Sequence, residues 1–461
     1  MVVPKSIPIF FINIYGVVYS ALNITLLLPN SILTNVAHNG IVYIIRMQKK
    51  TRTILFYSSV IFFTLLSIVV VLYSLGYKYD FIDNKFVKTG SLRVATNLSN
   101  AEVYINSELK GKTSFITGNF SKGRFLPRIY NVRVEKEGYQ TWEKNIDIER
   151  GLFSDFPVVV LLPDKFEITI TASSSLSVPY FSFDKSLRRA YLEDGVSEDG
   201  LSAISVLALD NGQLVDVFEV PKKVLSENPI VADAKFYYLN DNNLMQFDPK
   251  KETYIILSET VKSFYVSQEH AYFTKFSDNT LYIVNTSSDQ IKNLLNDLQN
   301  ETDLIIKAEQ VGNEYYLLLS FLNSSNKLFK FNENDLEPET IASNVLGFEV
   351  SPDRKKLSYF TRNELWTIWL NDTTSQPLRK AGEKELITRY SHEIKNVKWY
   401  RNSEHLIVQV GGGLVFVEID GRGKKRNQYD ITYFDGIFNY EGSSNNMWIF
   451  GGKELANFKL E

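Results

Sequence analysis

Histidine is the side chain best suited to bind a metal or transfer a proton near neutral pH, and this sequence contains four. His38, His270, His392 and His405 are far apart, and none pairs with another at the spacing of a zinc-binding motif. His270 and His405 occupy similar positions within two related phrases of the sequence, which favours a structural role. We therefore predict no metal-binding residue.

Other patterns that could support chemistry are incomplete. The glycine run at 411–413 is followed by a strand pattern, whereas a phosphate cradle requires a helix at that point. The acidic segment 194–200 (DGVSEDG) does not match the calcium-binding loop of an EF-hand, so we interpret it as a solvated turn. No nucleophile elbow, Walker loop or metalloprotease motif occurs. We predict no catalytic residue, no cofactor and a non-enzymatic protein.

The composition favours strands and argues against nucleic acid as a partner. There are 50 basic and 53 acidic residues, so the chain has no basic surplus, and the basic segment 422–426 is short enough to be a connection between strands. Aromatic residues make up 13% of the chain, chiefly 31 Phe and 26 Tyr, which is typical of β-sheet proteins. The chain has no cysteine, which excludes disulfides and thiolate chemistry.

One segment is long and apolar enough to cross a membrane. The 22 residues from Ile54 to Leu75 carry no charge, and about 20 residues span the hydrocarbon core as a helix. Basic residues precede this segment at 46–52, which places its start in the cytoplasm by the positive-inside rule. We expect an uncleaved anchor that contacts membrane lipid, with a cytoplasmic segment at 47–53 and everything after residue 75 outside the cytoplasm.

The first 46 residues leave two interpretations open. Residues 7–28 form a second uncharged, largely apolar stretch, which would make the protein two-pass. Alternatively, Met47 followed by basic residues and an apolar span has the form of a complete start, and residues 1–46 are then an artefact of start-site choice. In both cases the large C-terminal part lies on the same side of the membrane.

A small β domain is predicted over residues 88–163. Residues 90–96 and 101–106 alternate apolar and polar side chains around turn residues at 97–100, which predicts a hairpin. A second turn is expected at 107–113 around Gly111, and alternation resumes at 130–135 and 139–148 on either side of Gly138. With a closing strand at 158–162, about five strands would form a small sandwich.

These residues resemble the PEGA domain, a short extracytoplasmic β module. Its pattern is matched by Ala101, Val103, Tyr104, Ile105, Asn106, Gly111, Thr113, Pro127, Tyr130, Gly138 and Tyr139. Two positions depart from the pattern. Asn100 replaces the family's glycine, and Asn tolerates the left-handed turn conformation better than other non-glycine residues. Arg128 follows Pro127 where glycine is expected. Trp142 and Tyr139 could form an exposed platform for sugar or peptide, but we favour a role in the core.

A related phrase recurs from residue 166 to the end. It is clearest at 181–191 (FSFDKSLRRAY) and 350–359 (VSPDRKKLSY), and weaker copies bring the total to seven units spaced roughly 35 to 50 residues apart. This spacing suits four-stranded propeller blades, six to eight in number with seven favoured. The phrase at Ser351, Pro352 and Asp353 resembles the blade turn of bacterial WD40-like, TolB-type propellers. Residues 291–303 have a helix-like period, and we interpret them as an insertion between strands.

The sequence therefore predicts a mainly β protein with an N-terminal membrane helix, a PEGA-like sandwich and a propeller. The two resemblances imply a binding or scaffold protein of the cell envelope whose partner is a protein or a cell-wall glycan. The alternative is a propeller hydrolase or lactonase, in which side chains from several blades would converge on the central channel.

Overall fold

Our computed structural model describes residues 49–461 except 268, 269, 279, 287–289, 297, 299–301, 323, 334 and 336. The two interpretations of residues 1–46 and the position of His38 therefore lie outside the described residues. The chain divides into two units between Val70 and Val71. The predicted fold class, mainly β with an N-terminal apolar helix and a propeller, is confirmed.

The helix α1, Lys49–Ser74, includes the predicted membrane segment except for Leu75. It is the one helix of the described chain that is long and apolar enough to cross a membrane, and none of its residues is buried. Serine and threonine side chains within it donate to backbone carbonyls one turn earlier, as Ser67 does to Phe63 at 2.8 Å. Such bonds satisfy the hydroxyl groups inside an apolar environment.

A two-stranded hairpin and a small sandwich follow α1. The hairpin contains β1 (Tyr77–Asp80) and β2 (Lys85–Lys88). The sandwich strands are β3 (Gly90–Thr96), β4 (Glu102–Ile105), β5 (Glu108–Lys112), β6 (Asn119–Phe125), β7 (Arg128–Glu135), β8 (Trp142–Ile148) and β9 (Phe153–Val159). They form one sheet in the order β6-β3-β9 and another in the order β5-β4-β7-β8. Side chains from both sheets share one core that includes Leu92, Val103 and Trp142.

Three local predictions in this module were wrong. Segments 90–96 and 101–106 do not form a hairpin, because β3 pairs with β6 and β9 while β4 pairs with β5 and β7. The turn expected around Gly111 lies instead at Asn106 and Ser107, and Gly111 is inside β5 opposite Val103. The closing strand ends at Val159, so residues 160–162 lie beyond it. Alternation marks a strand but does not say which sheet the strand joins.

Seven further four-stranded sheets occur among the described residues. Sheet 1 contains β11 (Phe181–Asp184), β12 (Arg189–Val196), β13 (Leu201–Ala208) and β14 (Leu214–Pro221), followed by a short helix α2 (Lys222–Ser226). Sheet 2 contains β15 (Ile230–Ala232), β16 (Lys235–Asn240), β17 (Asn243–Asp248) and β18 (Thr253–Ser258). Sheet 3 contains β19 (Val261–Ser267), β20 (His270–Lys275), β21 (Leu281–Asn285) and β22 (Ile291–Leu295). Sheet 4 contains β23 (Thr302–Val311), β24 (Glu314–Phe321), β25 (Ser324–Asn332) and β26 (Glu339–Ser343).

The remaining three sheets complete the series. Sheet 5 contains β27 (Gly347–Val350), β28 (Lys356–Phe360), β29 (Glu364–Trp369) and β30 (Lys384–Arg389). Sheet 6 contains β31 (Ile394–Trp399), β32 (His405–Val410), β33 (Gly413–Glu418) and β34 (Gln428–Tyr433), with a 3₁₀ turn at Arg422–Lys424. Sheet 7 contains β35 (Ile437–Glu441), β36 (Asn446–Gly451), β37 (Glu454–Lys459) and, as its outer strand, β10 (Thr169–Ser173).

The first strands of successive sheets contact one another in chain order from β11 to β35, as the inner strands of a propeller do. The ring closes because β10, which precedes sheet 1, pairs with β37 at the end of the chain. Sheets 7 and 1 also share an apolar cluster, in which the Phe181 ring stacks on Phe450 with centroids 4.0 Å apart. Trp448 is fully buried there and donates its indole N–H to the Leu209 carbonyl at 2.8 Å.

Residues 291–303 were predicted to be helix-like, and this prediction was wrong for Ile291–Leu295, which forms β22. Leu281 pairs with Leu295 and Tyr282 with Asn293, so Leu294 is an extra residue in a bulge. The bulge buries the consecutive residues Leu294 and Leu295. Two adjacent buried residues break the alternation of a strand and imitate the spacing of a helix.

Aspartates in the first turn of two sheets bind the neighbouring sheet. Asp184 is fully buried and accepts backbone N–H groups from Ser186 at 2.9 Å and Leu187 at 3.2 Å within its own turn. It also accepts the N–H of Ala234, in the first turn of sheet 2, at 3.0 Å. Asp353 accepts from its own turn and donates its N–H to Ser403 of sheet 6 at 3.1 Å. These turns therefore join one sheet to the next.

We expect Asp184→Ala to lower the free energy of unfolding by about 2–4 kcal/mol, because several buried donors would lose their acceptor. The measurement is denaturant unfolding of the full chain in detergent. Asp199→Ala, in an exposed hairpin turn of the same sheet, is the control and should leave the unfolding midpoint nearly unchanged. Equal midpoints for the two variants would contradict a linking role for Asp184.

Candidate functional site

The PEGA-like sandwich packs against sheet 6 of the propeller, and we call this contact the junction. Strand β8 of the sandwich faces the connection between β33 and β34. The Trp142 indole N–H donates to Glu418 at 3.4 Å, and the Glu143 backbone N–H donates to Asn427 at 3.3 Å. The Tyr429 hydroxyl donates to the carbonyl of Thr141 at 3.1 Å. Polar groups along one edge of β8 are thus paired with the propeller.

Lys144 is the centre of the junction. Its side chain has no exposed surface, and its ammonium group lies 3.1 Å from the Glu418 carboxylate and 4.0 Å from that of Asp420. The ammonium also donates to the backbone carbonyl of Asp420 at 2.5 Å. A buried ammonium group is tolerated only when it is paired and hydrogen-bonded. Both requirements are met by residues of the propeller.

Burial changes the protonation of the groups around Lys144. The pKa of His405 is lowered to about 3, chiefly by burial and in part by the Lys144 ammonium, while Asp420 opposes these effects. The pKa of Glu418 is raised by burial, and Lys144 offsets only part of that effect. Burial alone would raise the pKa of Asp420, but Arg422 and Lys144 hold it below its usual value. His405 is therefore neutral at pH 7, and its ring stacks on Phe416 with centroids 4.8 Å apart.

The basic loop at 422–426 was predicted to be a connection between strands, and it links β33 to β34. Arg422 pairs with Asp420 at 2.6 Å and donates to the carbonyl of Asp155, in the sandwich, at 2.8 Å. Its guanidinium lies 3.9 Å from the centre of the Phe156 ring, a cation–π contact. Gly423 has a φ of 75°, and a Cβ there would lie 2.4 Å from the Asn145 carbonyl oxygen. Glycine thus permits the close approach of loop and sandwich.

The chain that leaves the sandwich is anchored in the propeller. Val160 and Leu162 are buried in an apolar cluster with residues of sheets 6 and 7, including Phe416 and Met447. The alternate residue Leu161 belongs instead to the core of the sandwich. Successive residues therefore point into two different cores, which leaves no flexible hinge at this point.

A narrow cleft beside the junction is lined by residues that include Phe156, Trp369, Pro377 and Arg422.

We predict that Lys144→Met lowers the free energy of unfolding by about 3–5 kcal/mol, because Glu418 keeps a buried charge without its cation. Denaturant unfolding of the full chain in detergent measures this loss. The same variant should expose the connecting segment, so trypsin should cleave after Lys165 faster than in the wild type.

Lys112→Met is the matched control, since Lys112 pairs with Glu102 at 2.8 Å on the surface of the same module. It should change neither stability nor cleavage appreciably. If Lys144→Met behaved like Lys112→Met, the junction would not depend on the buried ammonium group.

The lowered pKa of His405 predicts a loss of stability in acid. The unfolded chain binds a proton at His405 below about pH 6.5, whereas the folded protein does not until about pH 3. Stability from this group is thus complete above pH 6.5 and falls as the pH drops, by about 2 kcal/mol between pH 7.5 and 5. His405→Phe keeps a ring against Phe416 but removes the imidazole that binds the proton. Its free energy of unfolding should therefore fall by about 2 kcal/mol less than that of the wild type between pH 7.5 and 5.

His392 is exposed, so His392→Phe should follow the wild-type pH dependence. Denaturant unfolding at the two pH values provides the comparison. A wild-type and a His405→Phe protein with parallel pH dependence would contradict a neutral, buried His405.

A second group of charges lies in the space enclosed by the inner strands, which we call the channel cluster. It contains Lys185 of sheet 1, Lys307 of sheet 4, Glu349 of sheet 5 and Lys398 of sheet 6. The Glu349 carboxylate lies 2.5 Å from Lys398, 3.2 Å from Lys307 and 3.3 Å from Lys185. Sheets 1 and 5 are not neighbours in the ring. Their side chains can meet only across the centre of the propeller.

The channel cluster has unusual electrostatics. The pKa of Lys398 is lowered to about 7, chiefly by burial and in part by Lys185 and Lys307, while Glu349 opposes these effects. Burial alone would raise the pKa of Glu349, but the three lysines hold it well below its usual value. The glutamate is therefore ionised, and the lysines compete for a single carboxylate.

The motif residues singled out in the sequence fall in two places. In the sandwich, Asn100 adopts a left-handed φ of 57° at the crossover between the sheets, Ala101 is buried beside it, and Trp142 fills the core. Tyr104, Gly111, Pro127, Gly138 and Tyr139 lie elsewhere in the same module. In the propeller, Ser351, Pro352 and Asp353 form the first turn of sheet 5, where Ser351 donates to Asp353 at 2.5 Å. Only Trp142 reaches the junction.

The functional residues that sequence reasoning missed are chiefly charged. Alternation along 139–148 places Lys144 on the same face as Trp142 and Ile146, and a lysine on an apolar face is a signal for a buried ion pair. The channel cluster has no such signal, since its four members come from distant segments. Among the described residues, no group of three or more acidic or histidine side chains is arranged to hold a metal ion.

Comparison with known proteins identifies the first module. Residues 89–153 match the PEGA domain family. No curated protein matches the sequence significantly.

Several solved structures resemble the chain at low identity. The β-propeller domain of Cps50 (Swd1) from Myceliophteria thermophila is 8% identical, covers 64% of this chain and 100% of its own, and has a TM-score of 0.41. YCF48 from Cyanidioschyzon merolae is 12% identical, covers 63% and 98%, and has a TM-score of 0.40. A chain of the mitotic checkpoint complex is 9% identical, covers 64% and 95%, and has a TM-score of 0.43. Likeness at this level carries no information about function.

Proposed function

We propose that the protein is a membrane-anchored binding or scaffold protein of the bacterial cell envelope. Helix α1 holds it in the membrane, and the PEGA domain and a seven-bladed, TolB-like propeller lie outside the cytoplasm as one rigid platform. The partner is a protein or a cell-wall glycan. The observation that carries this proposal is the junction, where a PEGA-domain lysine is buried against the propeller.

Rigidity is what a scaffold requires, because a platform that does not bend presents its surfaces at a constant distance and orientation. Two independent features supply it here. The buried ammonium of Lys144 is paired with propeller groups, and Val160 and Leu162 are packed in the propeller core. The PEGA domain precedes the propeller in the chain and follows α1 closely, so it acts as the spacer next to the membrane.

The orientation follows from charge. Lys49, Lys50 and Arg52 lie at the start of α1, and the positive-inside rule retains such residues in the cytoplasm. Residues after Ser74 would then be translocated. A helix of 26 residues is about 39 Å long, which exceeds the roughly 30 Å of the hydrocarbon core and leaves its basic first turn at the lipid headgroups.

The alternative of a hydrolase or lactonase with its site in the central channel stays a prediction. Side chains from several sheets do converge there, but the channel cluster contains three lysines and one glutamate. Hydrolysis by general acid and base commonly uses paired carboxylates or a histidine. The composition of the cluster is better suited to binding an anion.

The orientation is tested with a C-terminal tag on the full chain, expressed in bacteria and exposed to protease in spheroplasts. We expect the tag to be digested while a cytoplasmic marker protein survives. A variant with Lys49→Glu, Lys50→Glu and Arg52→Glu should protect a larger fraction of the tag, because it removes the charges that hold the start of α1 inside. Complete protection of the wild-type tag would overturn the orientation.

The platform is tested by crosslinking in cells followed by affinity capture of the tagged protein. Wild type and Lys112→Met should capture the same envelope partner, and Lys144→Met should capture less of it, because its two modules are held together less firmly. Equal capture by all three chains would contradict the rigid platform and leave the membrane orientation untouched.

A further inference from the structure

The channel cluster contains more positive charge than its own carboxylate can neutralise. Lys185, Lys307 and Lys398 carry three ammonium groups, and only Glu349 contacts them among the carboxylates of the described residues. The pKa of Lys185 is raised chiefly by Glu349, and Tyr265 and Glu309 add to this effect. With Glu309 included and Lys398, whose pKa is about 7, only partly protonated at neutral pH, the cluster still has a net positive charge. A buried excess of charge is costly unless a counter-ion is present.

Hydrogen-bond donors are also in excess. Each ammonium group has three N–H donors, which makes nine for the cluster. Described acceptors account for four contacts: Lys398, Lys185 and Lys307 each contact Glu349, and Lys307 also donates to the carbonyl of Phe348 at 2.7 Å. The three ammonium groups come from sheets 1, 4 and 6 and meet at one carboxylate, so an anion beside it would contact more than one sheet.

Among the four members of the cluster, Lys185 alone has a largely exposed side chain. The Lys185 side chain is 51% exposed and belongs to the first turn of sheet 1, whereas the Lys307, Glu349 and Lys398 side chains are at most 15% exposed. A ligand approaching from the first turn of sheet 1 would therefore meet Lys185 first and the two inner lysines next. Partial burial strengthens its attraction to them, because the surrounding dielectric is lower than that of water.

We propose that the central channel is a binding site for a small anionic ligand, whose carboxylate or phosphate group is held by Lys185, Lys307 and Lys398. Glu349 serves as the internal counter-ion that keeps the lysines in place when the ligand is absent. The group shared by both ligand classes is a compact oxyanion with several acceptor oxygens, which matches three converging point charges. This inference does not depend on the membrane anchor.

The test uses the full chain in detergent at pH 7, with inorganic phosphate and citrate as probes and chloride at equal ionic strength as the reference. Thermal unfolding detects stabilisation, and calorimetric titration gives the affinity. We expect one or both oxyanions to raise the unfolding midpoint above the chloride value. A shift with phosphate alone assigns the site to phosphate ligands, and a shift with citrate alone assigns it to carboxylates.

Lys185→Gln should weaken binding of the effective probe about tenfold or more, since it removes one charge-assisted contact. Lys250→Gln is the matched control, because Lys250 is similarly exposed and pairs with a single carboxylate, Asp216, at 2.8 Å away from the channel. It should bind like the wild type. The proposal is overturned if neither oxyanion shifts the midpoint, or if Lys185→Gln binds as tightly as Lys250→Gln.

Glu349→Gln separates a binding role from a purely structural one. Without the carboxylate the three lysines repel one another, so this variant should unfold at a lower temperature in chloride and recover most of the difference in the effective oxyanion. Loss of stability without any such recovery means that the cluster only joins the sheets, and it would refute the anion site.

Discussion

A lysine side chain without any exposed surface must have its charge neutralised and its donors satisfied, and this requirement dominates the architecture around Lys144. Its partners, Glu418 and Asp420, belong to the propeller, whereas Lys144 itself belongs to the PEGA domain. The desolvation cost is met only when the two modules are docked in one orientation. Arg422, Gly423 and the buried residues Val160 and Leu162 all lie where this docking brings them together. The contact between the two modules follows from that constraint.

Closure of the ring imposes a second constraint. Pairing of β10 with β37 holds the two ends of the propeller together, and the shared core of sheets 7 and 1 seals the same seam. Once the ring is closed, the first strands of all sheets surround one space, and residues as distant in sequence as Lys185 and Glu349 come within 3.3 Å. Repulsion among the lysines there is strong because the space is partly shielded from water. A single ionised glutamate moderates it.

Local sequence patterns misled where the physical cause of the structure was not local. The bulge that buries both Leu294 and Leu295 is imposed by pairing with β21, and in the sequence it resembles a helix. Strands β3 and β4 alternate as a hairpin would, yet Thr113 and Asn97 hold the chain in a crossover between sheets. The hydroxyl of Thr113 accepts the N–H of Ala101 at 2.9 Å, and the Asn97 side chain bonds the backbone of Leu161. Residues distant in sequence decided both outcomes.

The amino-acid sequence by itself determined the properties that depend on composition and short-range pattern. The apolar helix is one of them, because an uncharged run has a defined length. The mainly β class is another, because alternation and turn residues are local. The PEGA domain is the third, because its motif residues are close together. The tertiary structure alone decided which strands share a sheet, how the PEGA domain docks, and which charges meet in the channel. The partners of an ion pair between distant segments leave no local trace. Alternation around Lys144 indicates a buried lysine, but only the folded chain, in which desolvation makes pairing obligatory, shows that Lys144 pairs with Glu418 and that Lys398 pairs with Glu349.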